Sequence, residues 1–207
     1  MTPKMSGEDF YFLQKLRKTG RLIFWNEDKI YPEARFSDRV YFGTGPAMIK
    51  GNRGDWSSYP IYRWQFFDEI KETYEKFPAF FRITESTRVT EFLKQIFREE
   101  DPFEPLRKNF NTEPKFIRAC HEKFDGLRIL QYLKYRQAEE PIEDEMNLKD
   151  FILRFYPDAA SSPGPFSSWR RGEEKFSFEQ SSLEELENIR MFLLRKEEEY
   201  QINSTLS

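Results

Sequence analysis

Between Gly43 and Trp64 the chain gathers glycines, cations and aromatic rings into one run. That stretch reads Gly-Thr-Gly-Pro-Ala-Met-Ile-Lys-Gly-Asn-Arg-Gly-Asp-Trp-Ser-Ser-Tyr-Pro-Ile-Tyr-Arg-Trp. Its glycines let the backbone approach an anion closely, because successive N–H groups without side chains can line a concave turn. Lys50, Arg53 and Arg63 supply positive charge, and Trp56, Tyr59, Tyr62 and Trp64 supply flat rings. Cations interleaved with aromatics are how proteins hold unpaired nucleic acid: the cations track phosphates and the rings stack on bases. The same composition also describes a surface loop whose rings pin it to the core while its cations are merely solvated. RNA or DNA is the expected partner on the first reading.

A second set lies further on, where Pro157-Asp158 is followed by Glu173-Glu174-Lys175. Asp158 and Glu173 could hold Mg²⁺ or Mn²⁺ while Lys175 orients an attacking water or stabilises charge. This spelling resembles the PD-(D/E)xK arrangement of metal-dependent nucleases over about twenty residues. The resemblance implies a nuclease with Mg or Mn as cofactor, and an upstream acid such as Glu122 or Glu140 as a further ligand. The sequence departs from the pattern before Glu173, where Trp169-Arg170-Arg171-Gly172 is poor material for a strand. Without this site, no cofactor is expected.

Other chemistry is narrowed by scarcity. His121 is the single histidine and Cys120 the single cysteine. A zinc site built from several such ligands is therefore unavailable within one chain. Adjacent helical residues point in different directions, so Cys120 and His121 make a poor nucleophile–base pair. Neither a G-x-G-x-x-G nor a G-x-x-x-x-G-K-[ST] motif is present.

Composition and periodicity give the secondary structure around these residues. The chain has 207 residues, of which 33% are charged and 17% aromatic, including 22 Phe. Those rings imply an aromatic core and argue against a disordered chain. Helices are expected where apolar residues recur every three or four positions. One starts after Ser6 and is ended by Gly20. Others carry Phe66, Ile70, Tyr74 and Phe77; Val89, Phe92, Leu93 and Ile96; and Phe116, Cys120 and Phe124. A short one holds Leu148 and Ile152, and a terminal one is opened by the capping box Ser182-Leu183-Glu184-Glu185. Strands are expected at 21–25, 29–31 and 39–42, with a further short one at 79–83. The fold class expected is thus α+β: a mainly helical domain with a small N-terminal antiparallel β element and a C-terminal helix. The portions run 1–83, 84–156, 157–180 as a loop, and 181–201 as the terminal helix.

Charge is unevenly distributed. Residues 1–63 carry 11 Lys and Arg against 7 Asp and Glu, whereas residues 137–207 carry 8 against 16, within a net charge of −3. An anionic partner would meet the front. With one cysteine and no apolar leader or membrane-length run, a cytoplasmic or other intracellular setting is expected, with no membrane partner. The leading expectation is a non-enzymatic binding protein contacting nucleic acid through Lys50, Arg53, Trp56, Tyr59, Tyr62 and Arg63. The alternatives are the nuclease, and an adaptor that binds another protein through its C-terminal helix. The oligomeric state is left open.

Overall fold

The computed structural model describes residues 8–20, 23, 30, 35–37, 44–160, 166, 169 and 176–205. Helices over these residues are α1 (Glu8–Thr19), α2 (Thr44–Gly51), α3 (Trp64–Phe80), α4 (Arg88–Phe97), α5 (Glu104–Asn109), α6 (Glu113–Lys123), α7 (Gly126–Glu139), α8 (Asp144–Phe155) and α9 (Leu183–Thr205). The expected α+β class is overturned, because no strand occurs among the described residues. The expected strands at 21–25, 29–31 and 39–42 fall almost wholly outside those residues; Ile23 and Ile30, which are described, adopt no regular structure. The one at 79–83 is the end of α3 and a turn. Pro78 removes a single amide donor but does not stop the helix, which continues to Phe80 before Phe81 N–H closes back on Pro78 O at 3.3 Å. No described helix is long and apolar enough to cross a membrane.

The chain divides into two compact units. One is continuous, Tyr62–Glu143; the other combines Met1–Ile61 with Asp144–Ser207. In the continuous unit, Phe66, Ile70, Thr73, Phe77 and Phe80 of α3 recur at spacings of four and three, so one face is buried. They meet Leu93, Phe103, Phe116, Phe124 and Tyr132. Phe77 is fully buried, its ring 5.6 Å from that of Phe103 and 6.0 Å from that of Phe80. Cys120 is buried in the same cluster, and burial pushes its thiol up to about 12, so it is a core residue and not a nucleophile. His121 instead turns its ring onto Tyr74 and Phe77, at 4.8 and 5.0 Å.

Helix α4 is capped by Thr87 in a reciprocal capping box. Thr87 Oγ1 accepts from Thr90 N–H at 3.1 Å, and Thr90 Oγ1 accepts from Thr87 N–H at 2.7 Å. A buried arginine ties α3 to α7. Arg136 donates to both Glu69 oxygens at 3.0 Å, to Glu139 at 2.7 Å and to Glu140 at 2.6 Å. Tyr132 OH also donates to Glu69. A second hub is Arg107, which donates to Phe80 O at 2.9 Å, to Thr84 Oγ1 at 2.7 Å and to Asp101.

The discontinuous unit has its own core of Leu148, Ile152, Ala160, Phe166, Trp169 and Ile189, with Phe192 and Leu193 packed against it. Its two segments are joined at Ile61. The Ile61 N–H donates to Asp144 Oδ1 at 3.0 Å, and Ile61 O accepts from Asn147 Nδ2 at 2.7 Å. Asn147 is thus a buried tether inside α8. The expected capping box of α9 forms: Glu185 N–H donates to Ser182 Oγ at 3.2 Å, and Ser182 N–H to Glu185 Oε2 at 2.7 Å.

Candidate functional site

The glycine-rich stretch is not an open loop at its start, because residues 44–51 form α2. The helix ends in a two-bond αL turn. Asp55 N–H donates to Lys50 O at 3.1 Å and Gly54 N–H to Gly51 O at 2.9 Å. Gly54 sits at φ 83°, the left-handed conformation that side chains disfavour. Its N–H is therefore engaged inside the turn and is not presented to an anion. Gly51 serves a different end. A Cβ there would lie 2.3 Å from Cζ3 and 2.4 Å from Cη2 of Trp56, so the indole rests where any other residue would put its side chain.

Two further turns fix the backbone from Asp55 to Tyr59. Asp55 Oδ1 accepts from Ser57 N–H at 3.0 Å, a side-chain turn that spans Trp56. Hydrogen bonds from Ser57, helped by the charge of Lys50, hold the Asp55 carboxyl below the usual carboxylate range. Tyr59 N–H then donates to Trp56 O at 3.2 Å. The backbone of Trp56 is thereby held on both sides while its side chain stays largely in solvent. Trp56 is 59% exposed and Tyr59 60%. Lys50 and Arg53 are also exposed, and neither makes an ion pair among the described residues.

Tyr62 and Arg63 have a different setting. Both belong to the continuous unit, whereas Lys50, Arg53, Trp56 and Tyr59 belong to the discontinuous one. Tyr62 is half-buried against the core of its unit. Arg63 donates to Glu140 at 2.8 Å, and its guanidinium lies 6.0 Å from the centre of the Phe66 ring. Four of the six expected contact residues thus share one unit, and the other two do structural work in their own.

Of the nuclease set, Asp158 is exposed in the turn after α8, while Glu173 and Lys175 lie outside the described residues. The upstream acids are engaged in ion pairs: Glu122 with Arg118 at 3.2 Å, and Glu140 with Arg136 and Arg63. No group of three or more His, Cys, Asp and Glu among the described residues could hold a metal ion. On α9, Ile189, Phe192 and Leu193 pack within the discontinuous unit, and the exposed apolar side chains further along are Tyr200 and Ile202.

Sequence reasoning missed the seat at Gly51 and the turn made by Asp55. The second had a signal, since Asp-x-Ser is a side-chain turn spelling. The first had none, because a glycine inside a helix does not announce which ring will lie on it. No protein-family model, no curated protein and no solved structure matches this chain.

Proposed function

We propose that this chain is a non-catalytic binding protein that contacts nucleic acid through Lys50, Arg53, Trp56 and Tyr59. The observation that carries the reading is a pair of well-exposed rings, held on hydrogen-bonded turns and within nine residues of two exposed cations that make no ion pair among the described residues. Cations in this state remain available to phosphates, and rings in this state remain available to bases. The basic balance of residues 1–63 supports the same direction of approach.

The test is a titration of the full chain with short labelled oligonucleotides across a salt series. Affinity should fall as salt rises, because phosphate contacts release counterions. Lys50→Ala with Arg53→Ala should weaken binding and flatten the logarithmic salt slope by about two, one per lost phosphate contact. No binding at low salt, or binding that the double variant leaves intact, sinks the reading.

A further inference from the structure

We infer that the Trp56 site takes unpaired bases in preference to a duplex, and that Gly51 is the positioning residue that makes it do so. This rests on the proposed nucleic-acid contact and narrows its ligand class. The indole of Trp56 lies on the side of Gly51 where a Cβ would come within 2.3 Å of it. On either side of the ring's own residue the backbone is held, by Asp55 before it and by Tyr59 after it. The six-membered part of the indole is therefore backed by Gly51, while Trp56 as a whole stays 59% exposed. A ring fixed before binding loses little freedom when a ligand stacks on it, which is the advantage of a preorganised contact. Only a base whose face is uncovered can use that surface. In a duplex each face is covered by the next base pair and only edges show in the grooves, whereas a single strand offers its π-faces. The cations Lys50 and Arg53 serve any phosphate chain equally, so preference for bases must come from the exposed rings, Trp56 on its Gly51 seat first and Tyr59 beside it in sequence.

The experiment compares three probes of equal length on the intact protein: a single-stranded oligonucleotide, the same strand made abasic, and the duplex with its affinity corrected for its doubled phosphate count. The unmodified protein should bind the base-bearing strand about tenfold more tightly than the abasic one, within the range of a single aromatic stack. Gly51→Ala should lose that preference as fully as Trp56→Ala does, while the salt slope stays unchanged. Alanine suits a helical position, and far-ultraviolet circular dichroism reports whether the helices persist. If Gly51→Ala perturbs them, Trp56→Ala and Trp56→Phe carry the test, with Phe expected to retain part of the preference. Equal affinity for abasic and base-bearing strands, with salt dependence intact, overturns this inference and leaves the broader reading standing. Tighter binding of the duplex also overturns it. Failure of all three probes to bind at low salt overturns both.

Discussion

Arg136 and Arg53 carry the same guanidinium into opposite surroundings. In the continuous unit, Arg136 is buried and surrounded by Glu69, Glu139 and Glu140. Burial alone would lower its pKa, yet those carboxylates outweigh it and raise it. Arg107 and Lys123 in the same unit are likewise engaged, with Asp101 and Glu99. At the end of α2 in the other unit, Lys50 and Arg53 are exposed, as are Trp56 and Tyr59 a few residues on. The contrast separates two uses of charged and aromatic residues. Where cations are matched by acids and rings by rings, both hold a fold together; Lys50 and Arg53 make no ion pair among the described residues, and Trp56 and Tyr59 stay mostly exposed.

The comparison breaks most sharply in the core. Phe77→Ala should lower the unfolding free energy of its unit by about 3–5 kcal/mol, as buried aromatic truncations do, measured by denaturant unfolding. A cost no larger than that of a surface change would mean the ring cluster does not hold the unit. Arg136→Met should cost about 3 kcal/mol by the same measurement, since Glu69 would keep its charge without its partner. A smaller effect is expected from Asp101. Burial opposes its ionisation, but hydrogen bonds from Thr84, Phe103 N–H and Arg107 outweigh burial and hold its carboxyl below the usual value of 3.8. A lowered folded pKa contributes stability that is present above about pH 4 and is lost as pH falls further. Acid titration of unfolding should therefore show a decline in that range, and Asp101→Asn should reduce it; an unchanged acid profile would remove Arg107–Asp101 from the set of stabilising pairs. Smallest of all, Lys50→Ala with Arg53→Ala should move the unfolding free energy by no more than about 0.5 kcal/mol, because neither side chain is packed. A larger loss would place these cations with Arg136.

Much of the helical pattern is legible in the chain. The spacing of Phe66, Ile70 and Phe77 gives the buried face of α3, and Ser182 with Glu185 gives the start of α9, because both signals are local. Burial is less legible. Leu13 and Leu16 stand at helical spacing in α1 and are exposed, since spacing identifies a face without saying what covers it. Strand propensity at 79–83 lost to the helix already running through Pro78, a case of context overriding residue preference. For the candidate site, composition alone marks Lys50, Arg53, Trp56 and Tyr59. It could not tell them from Tyr62 and Arg63, because the partner of Arg63 is Glu140, far along the chain.

The pairing of Ile61 with Asp144 and Asn147 makes residues 62–143 a guest spliced into a host. Arg63 and Glu140 tie the guest's two ends together from within. Guest and host thus each carry their own fastening at the splice. Closing the host across such a long excursion carries an entropy cost that grows only with the logarithm of the loop's length. The Arg63–Glu140 pair closes the guest on its own side, and the Ile61–Asp144 bond closes the host on its side. The host can therefore be shortcut: a few residues bridging Ile61 to Asp144 would replace the whole excursion, and residues 62–143 would stand as a separate folding unit.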